Sequence, residues 1–183
     1  MQQGRQILSP DRFKIILLRL AHEIIENYSQ DDTINIIGIQ EKGVILGERL
    51  IELISAKLPK KKIHFGKLDI TFYRDDFRLR STPLTANATE IEFDIEDKKI
   101  ILIDDVLYTG RTIHAAISAL QDFGRVKQVE MLTMVDRRYN RHLPIKADYK
   151  GIQVDSVDDS YVHVQWEHID GHDKILILSA NKK

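Results

Sequence analysis

Apolar positions along the chain follow two alternating periods, one typical of buried strands and one typical of amphipathic helices. Short continuous apolar runs predict strands at 34–39, 99–103, 129–135 and 152–154. Apolar residues three and four apart predict a helix that begins at Ser9-Pro10-Asp11 and ends at Asp31-Asp32, and further helices at 44–56 and 112–123. Strands that alternate with helices predict an α/β fold with a central, mostly parallel sheet flanked by helices. Ligands of such sheets bind beyond the carboxyl ends of the strands.

Two segments depart from this alternation. A strand is predicted at 64–72, and the polar stretch from Tyr73 to Glu90 that follows it predicts a long loop or a hairpin. Long loops in compact domains are often functional. Near the C-terminus, apolar segments at 161–166 and 175–178 are joined across Asp170-Gly171, which predicts a terminal hairpin.

Composition narrows the class of protein. The chain has 183 residues, 43% apolar and 30% charged, so we expect a single domain over residues 1–183 with a sizeable core. The absence of cysteine excludes disulfides, thiolate metal sites and a cysteine nucleophile. Because no apolar run could span a bilayer and the N-terminus lacks a signal-peptide pattern, we expect a cytoplasmic protein. The net charge of −1 does not indicate a nucleic-acid binder as a whole, although the chain has local basic patches.

The segment from Ile100 to Thr112 carries the clearest chemistry. A buried strand delivers Asp104 and Asp105 to the edge of the sheet, and a turn around Gly110 leads into a helix. Backbone N–H groups and hydroxyls at a helix N-terminus bind anions, and glycine lets the backbone approach a phosphate closely. Paired carboxylates accept hydrogen bonds from vicinal hydroxyls or hold Mg²⁺ through water. Phosphate, diol and Mg²⁺ together describe a phosphorylated ribose, whereas a helix cap would need only one aspartate.

Two other loops have the composition of a pyrophosphate site. The loop after the first predicted strand, Gly38 to Val44, places two glycines around Lys42 immediately before a helix, which suits an anion. Arg74, at the start of the long polar loop, could bind the same group. Each of these features taken alone is also compatible with an ordinary turn or a mobile surface loop.

The segment from Ile100 to Thr112 resembles the signature of the type I phosphoribosyltransferases, an apolar strand followed by two acidic residues and a Thr-Gly loop. Segments 69–76, 105–112 and 143–149 are similar to the PyrR family, pyrimidine operon attenuation regulators that also act as uracil phosphoribosyltransferases. The similarity runs from about residue 18 to residue 178. The motifs G-x-x-x-x-G-K-[ST] and G-x-G-x-x-G are absent, so nucleoside triphosphate hydrolysis and dinucleotide redox chemistry are poor candidates.

The resemblance implies a type I phosphoribosyltransferase fold with a flexible active-site loop and a C-terminal hairpin. It implies transfer of a phosphoribosyl group from phosphoribosyl pyrophosphate to uracil, giving UMP and pyrophosphate, with Mg²⁺ held indirectly by the aspartate pair. The catalytic residues it implies are Asp104, Asp105, Arg74 and Arg137. The substrate-binding residues it implies are Gly38, Gln40, Glu41, Lys42, Gly43, Tyr73, Val106, Leu107, Tyr108, Thr109, Gly110, Arg111, Thr112 and Asp136.

Two sequence features bear on the choice of base. After Asp-Arg, members of the PyrR family commonly have Gly-His-Arg-Glu, whereas this chain has an arginine at the glycine position, within Arg138-Tyr139-Asn140-Arg141-His142. Purine enzymes of the hypoxanthine type have an aspartate where this chain has Tyr108, and tyrosine is a much weaker base at neutral pH. Tyr108 therefore favours a pyrimidine, and a purine phosphoribosyltransferase stays open as an alternative.

The same resemblance implies a possible second partner, a leader mRNA, and a homo-oligomer that is a dimer or larger. RNA binding requires a basic face. The candidate RNA-binding residues are Arg19, His22, Arg138 and Arg141. The first helix is nearly neutral, with Glu23 and Glu26 beside Arg19. A non-catalytic, nucleotide-sensing RNA-binding regulator is therefore a further alternative.

Overall fold

A computed structural model describes residues 4–75, 86–155 and 160–179 of the chain. The elements are, in chain order, β1 (Arg5–Leu8), α1 (Pro10–Asn27), β2 (Thr33–Ile39), α2 (Lys42–Lys57), β3 (Lys62–Leu68), β4 (Lys99–Leu107), α3 (Arg111–Leu120), β5 (Gln128–Arg137), β6 (Tyr149–Val154), β7 (Ser160–Gln165), α4 (Glu167–Asp170) and β8 (Lys174–Ser179). A short 3-10 turn, Thr71–Tyr73, follows β3. The described residues include no helix that is both long and apolar enough to cross a membrane.

The main sheet is parallel, as the alternation of strands and helices predicts. Its five strands lie in the order β3-β2-β4-β5-β6. All five carboxyl ends therefore meet at one edge. The chain moves outward from β2 to β3 and then returns to the other side of β2 with β4, so the strand order reverses between β2 and β4. Open α/β sheets bind their ligands at such a reversal.

Alternate residues of the central strands bury opposite faces of the sheet. Ile101 and Ile103 of β4 pack in the core that includes buried residues of α1 and α2, whereas Ile100 and Leu102 pack in the core that includes α3. Both faces are covered, which explains why β2 and β4 are continuously apolar in sequence. The α1 and α2 core also includes Trp166, so the smaller second sheet packs against the same side.

The predicted boundaries of the first helix are partly wrong. Helix α1 begins at Pro10 with Ser9 as its N-cap, as predicted, but it ends at Asn27 rather than at Asp31-Asp32. The Asp31 carboxylate instead accepts hydrogen bonds from the Lys99 ammonium at 3.2 and 3.3 Å. Asp31 and Asp32 therefore lie in the connection to β2, and Asp31 bonds the first residue of β4.

Two strand predictions also need correction. Strand β4 does not end at Ile103 but continues through both aspartates to Leu107, and Asp104 is in register with Thr133 of β5. A carboxylate at the sheet edge is compatible with ladder pairing because its backbone still forms the hydrogen bonds of the ladder. Strand β3 ends at Leu68 rather than near Phe72, which lies in the 3-10 turn and is 69% exposed.

The terminal hairpin is confirmed in its pairing but not in its connection. Strands β7 and β8 pair antiparallel, as predicted. The short helix α4 joins them in place of a tight turn, and Gly171 ends that helix with φ +78°. Strand β1, which the four-residue pattern at the N-terminus did not reveal, pairs with β8 and completes a three-stranded antiparallel sheet.

A buried ion pair joins this smaller sheet to the main body. Arg49 of α2 donates two hydrogen bonds to Asp173, at 2.6 and 2.8 Å, and the Asp173 side chain is 1% exposed. The guanidinium also lies 5.8 Å from the ring centroid of Trp166. Burial alone would raise the pKa of Asp173, but the hydrogen bond from Arg49 and one from the backbone N–H of Glu167 hold it below its usual value.

We therefore expect Asp173→Asn to lower the free energy of unfolding at pH 7 by about 3 kcal/mol, because it leaves a buried guanidinium without its counter-charge. A carboxyl whose pKa is depressed on folding adds stability that is lost as pH falls through the folded pKa. The difference between the variant and wild type should therefore shrink in acid. Urea denaturation at pH 7 and at pH 3.5 measures both effects, with Glu52→Gln on the exposed face of α2 as a control. An equal loss at both pH values would contradict the ion-pair account.

Candidate functional site

A cavity of about 690 Å³ opens at the carboxyl edge of the main sheet, beside the point where the strand order reverses. Its size is typical of a site for a small organic ligand. The end of β4, the first turn of α3 and the start of β7 line it, together with Lys42, Arg74 and Arg137. A second cavity of about 410 Å³ adjoins it and shares six of its lining residues, Lys42, Arg74, Asp104, Asp105, Val106 and Thr112.

The turn between β4 and α3 has the geometry of an anion site. Gly110 precedes the first residue of α3 and has φ +92°, a conformation that favours glycine. The first turn of any helix leaves backbone N–H groups without helical partners, and here that turn lines the cavity. The carbonyl of Thr109 accepts hydrogen bonds from the backbone N–H groups of His142 and Leu143, at 3.0 and 3.2 Å. A neighbouring loop therefore holds this turn in place.

Asp104 and Asp105 are the acidic pair of the cavity. The backbone N–H of Asp105 donates to Oδ1 of Asp104 at 2.9 Å, and the Lys42 ammonium lies 3.4 Å from Oδ2 of Asp105. Burial and the neighbouring charge of Asp105 raise the pKa of Asp104 well above its usual value. Burial also raises the pKa of Asp105, and Lys42 opposes that rise. The pair is thus a concentrated negative charge to which a cation or several hydroxyl donors would bind favourably.

These shifts predict how ligand binding responds to pH. The carboxylates accept hydrogen bonds or hold a cation only when they are ionised, and a raised pKa means that protonation begins at a higher pH than for an ordinary aspartate. We expect the acidic limb of the pH–activity profile to lie above the pH at which an ordinary aspartate titrates. Saturating Mg²⁺ should move that limb to lower pH, because a cation favours the ionised form. A limb that does not respond to Mg²⁺ would exclude the aspartate pair as its cause.

Close packing at the start of α2 places Lys42 beside the acidic pair. A Cβ at Gly43 would overlap the carbonyl oxygen of Ile103 and lie 3.2 Å from Cα of Asp104. A Cβ at Gly38 would come within 2.7 Å of the Val44 backbone. These glycines do not line either cavity; instead they let the helix approach β2 and β4 closely enough for Lys42 to reach Asp105.

Most of the predicted site residues come together at this edge. Those that line one or both cavities are Gln40, Glu41, Lys42, Arg74, Asp104, Asp105, Val106, Leu107, Tyr108, Thr109, Gly110, Arg111, Thr112 and Arg137. Gly38, Gly43, Tyr73 and Asp136 were also predicted to contact substrate, but they lie outside both linings. Gln40 and Glu41 line only the second cavity, on the side of the loop that follows β2.

The start of the predicted flexible loop is fastened at two points. The Tyr73 hydroxyl donates to the carboxylate of Asp122 just beyond α3, which places it away from the cavities. Asp75 accepts a hydrogen bond of 3.2 Å from Nε of Arg111, and its Oδ2 lies 2.7 Å from Nη2 of the same side chain. Residues 76–85, the middle of the predicted loop, lie outside the described residues.

Aromatic and cationic groups also line the larger cavity. Arg137 is 4% exposed, and its guanidinium lies 3.8 Å from the ring centroid of Tyr108. Ser160, Tyr161 and Val162 of β7, which the sequence analysis did not identify, line the same cavity. Their segment was predicted as a hairpin, and a strand pattern alone does not show which site a strand covers.

A buried hydroxyl that the sequence analysis also missed orders the end of β4. Thr133 of β5 is fully buried, accepts a hydrogen bond from the backbone N–H of Leu107 and lies 3.1 Å from the carbonyl oxygens of Asp105 and Val135. A threonine within an apolar strand was the only sequence signal for this role. Thr133 holds the backbone that carries the acidic pair.

All four predicted RNA-binding residues contact groups of this chain. Arg19 donates to the carbonyls of residues 150 and 151 at 2.8 and 2.7 Å, and Arg138 forms two hydrogen bonds of 2.5 Å with Asp155. Arg141 contacts the site itself and is half-buried. His22 is exposed on α1, with Nδ1 2.7 Å from the carbonyl of Leu18. The surface arginines therefore carry ordered contacts rather than standing free in solvent.

Comparison with known proteins identifies relatives across the whole chain. A family model for the phosphoribosyl transferase domain matches residues 3–170. The Bifunctional protein PyrR of Caldicellulosiruptor bescii is 42% identical over 183 residues, which covers 100% of both chains. The protein of the same name from Elusimicrobium minutum is 45% identical over 163 residues, 89% of this chain and 90% of that one.

Solved structures share the fold at much lower identity. A hypoxanthine-guanine phosphoribosyltransferase from Bacillus anthracis has a TM-score of 0.71 at 16% identity and covers 97% of this chain and 99% of its own. A hypoxanthine phosphoribosyltransferase from Staphylococcus aureus has a TM-score of 0.70 at 20% identity and covers 96% and 92%. The predicted type I phosphoribosyltransferase fold is confirmed.

Proposed function

This chain belongs to the PyrR family of phosphoribosyltransferases, and we propose that it transfers the 5-phosphoribosyl group of phosphoribosyl pyrophosphate to N1 of uracil. The products are UMP and pyrophosphate. One observation carries this assignment: the acidic pair Asp104-Asp105, the N-terminus of α3 and Lys42 all face one cavity at the strand-order reversal. A phosphorylated ribose presents the complementary groups, a dianion and a vicinal diol.

Each part of the donor has a matching part of the cavity. The 5′-phosphate binds the backbone N–H groups and hydroxyls of residues 109–112, at the positive end of the α3 dipole. Asp104 and Asp105 accept hydrogen bonds from the ribose hydroxyls. The pyrophosphate lies in the second cavity, between the loop that follows β2 and Arg74. Positioning and electrostatic stabilisation supply the rate enhancement, and no covalent step on the protein is required.

The donor set fits a role for Mg²⁺. Among the described residues no group of three or more His, Cys, Asp or Glu side chains could enclose a metal ion. Mg²⁺ usually keeps several waters and binds through one or two carboxylates plus substrate phosphates, which matches the aspartate pair beside a pyrophosphate site. The ion would neutralise charge on the leaving pyrophosphate.

The base end of the cavity supports a pyrimidine acceptor. Tyr108, stacked by Arg137, stands where a purine enzyme of the hypoxanthine type has an aspartate. A phenol does not accept a proton readily at neutral pH, so this position gives no general base for a purine. Tyr161 and Val162 line the same cavity.

Product analysis tests the proposal. Purified protein is incubated with phosphoribosyl pyrophosphate and uracil, with and without MgCl₂, and UMP and pyrophosphate are quantified by chromatography. We expect the two products in equal amounts, and only when Mg²⁺ is present. Release of ribose 5-phosphate and pyrophosphate without UMP would instead indicate hydrolysis of the donor, and no turnover with tight UMP binding would favour the nucleotide-sensing alternative.

We propose leader RNA binding as a second function, because the relatives that match this chain over its full length are named as bifunctional. The basic groups available for it are Arg19, Arg138 and the exposed His22 on α1. Filter binding of a pyrimidine-operon leader RNA at 50 and 200 mM salt, with and without UMP, tests this function. Specific binding should fall steeply with salt and strengthen with UMP. Equal affinity for an unrelated RNA of the same length would exclude it.

A further inference from the structure

The loop that follows β5 makes contacts that tie the two ends of the cavity together. Arg141, within this loop, is the centre of these contacts and has a side chain that is 23% exposed. One guanidinium nitrogen, Nη1, donates to the carbonyl of Tyr108. The other, Nη2, lies 2.5 Å from Oδ1 of Asp136 and 3.5 Å from the carbonyl of Arg137. A single planar group thus joins the phosphate-binding turn to the base end of the cavity.

We propose that Arg141 is a positioning residue for the nucleotide; this inference rests on the proposed phosphoribosyl transfer. Its guanidinium fixes the carbonyl of Tyr108, the residue immediately before the turn that binds the 5′-phosphate. It also fixes Asp136, the residue immediately before Arg137, whose guanidinium covers the Tyr108 ring. Loss of these hydrogen bonds would therefore loosen both the turn at residues 109–112 and the stack of Arg137 on Tyr108.

The chemistry of the bridge explains why an arginine is required. The guanidinium is planar and offers donors in fixed directions, so it can bond a backbone carbonyl and a carboxylate at the same time. A lysine would neutralise the nearly buried Asp136, whose side chain is 8% exposed, but as a point charge it could not hold both acceptors in this geometry. Arg141→Lys therefore keeps the positive charge beside Asp136 but removes the two-sided hydrogen bonding.

Neighbouring contacts support the same coupling. The backbone N–H groups of His142 and Leu143 donate to the Thr109 carbonyl, so residues 141–143 bond two successive carbonyls of the phosphate-binding segment. A Cβ at Gly110 would lie 3.4 Å from Cβ of Leu143. The loop after β5 is therefore packed along the turn. Among the contacts named here, the Arg141 side chain bonds both Tyr108 and Asp136.

Arg138 provides a matched control three residues earlier. Its guanidinium is equally able to form two hydrogen bonds, but it forms them with the exposed Asp155 and reaches neither cavity lining. Replacing Arg138 by lysine removes a comparable bidentate pair without touching the phosphate turn. If Arg141 served RNA binding, the two arginines would behave alike.

The test measures UMP binding by calorimetry for wild type, Arg141→Lys and Arg138→Lys. We expect Arg141→Lys to weaken UMP binding about tenfold and Arg138→Lys to change it less than twofold. Arg141→Lys should also raise the KM for phosphoribosyl pyrophosphate by a similar factor. A thermal melt accompanies each variant, and the double variant Arg141→Met/Asp136→Asn, which removes both charges of this ion pair, replaces Arg141→Lys if that variant is unstable.

Three results would overturn the proposal. UMP affinity unchanged in a folded Arg141 variant would exclude positioning, and a lower melting temperature with normal affinity would indicate a purely structural role. Loss of leader RNA binding with normal UMP affinity would assign Arg141 to RNA instead. Because UMP binding is measured directly, the Arg141 result stands even if wild type shows no transferase activity, an outcome that would contradict the proposed function alone.

Discussion

The double variant Asp104→Asn/Asp105→Asn should lose at least about a thousandfold in kcat/KM for phosphoribosyl transfer while remaining folded. Asparagine keeps the size of each side chain and the hydrogen bond from the backbone N–H of residue 105 to the side chain of residue 104. The substitution removes the negative charges of Asp104 and Asp105. Those charges strengthen the hydrogen bonds from the ribose hydroxyls and attract a cation. Steady-state rates with phosphoribosyl pyrophosphate and uracil measure the loss, and the exposed Asp94→Asn serves as the control.

The same substitutions should stabilise the protein at pH 7. A carboxyl whose pKa is raised on folding disfavours the folded state once pH exceeds its unfolded pKa, and this cost is absent in acid. The single variant Asp104→Asn should raise the melting temperature by about 2–5 °C at pH 7 and by little near pH 3.5. Asp105→Asn should gain less, because Lys42 already compensates that charge. A loss of stability in Asp104→Asn would contradict the assigned burial and repulsion.

Gly43→Ala should have the second large effect, on both stability and activity. The added methyl group would overlap the Ile103 carbonyl, which belongs to a central strand and cannot move freely. We expect a loss of about 3 kcal/mol in the free energy of unfolding, the upper end for an overpacked core. The displaced α2 would carry Lys42 away from Asp105, so kcat/KM should fall about a hundredfold.

Urea denaturation and steady-state kinetics measure these two losses, with Glu52→Ala on the exposed face of α2 as the matched control. That control changes a residue on the same helix without altering its approach to β4. Gly43→Ala with normal kinetics and a normal unfolding midpoint would show that the close approach of α2 to β4 has no functional consequence.

The acidic pair and the turn after it could be predicted from sequence because their chemistry is local. Strand, two carboxylates, glycine and helix N-terminus follow one another within one segment, so their order fixes their placement at the sheet edge. Gly110, for example, stands at the only position of that turn where φ is positive. The parallel sheet could be predicted for a similar reason, since apolar runs and helical periods are read within single elements.

Contacts between distant segments could not be predicted in this way. The wall formed by Ser160, Tyr161 and Val162 depends on how the antiparallel sheet packs, which the buried Arg49–Asp173 pair and the pairing of β1 with β8 determine. Nothing in the local pattern around these residues specifies their distant partners.

The loop after β5 illustrates the same limit at one position. The family commonly has glycine where this chain has Arg138. The residue of this loop in the left-handed region is Tyr139, with φ +78°. The side chain that reaches the cavity region from this loop is Arg141, through partners far away in sequence. The sequence shows that the loop is basic, but it does not show that Arg141 is the arginine that bonds Tyr108 and Asp136.

A competition between bases tests the central claim most directly. Equimolar uracil, hypoxanthine and guanine are supplied in one reaction with phosphoribosyl pyrophosphate and Mg²⁺, and the nucleotide products are separated by chromatography. The account predicts UMP as the dominant product, formed with an equal amount of pyrophosphate and absent with Asp104→Asn/Asp105→Asn. Predominant formation of IMP or GMP would contradict the assignment of uracil and would show that Tyr108 does not exclude a purine.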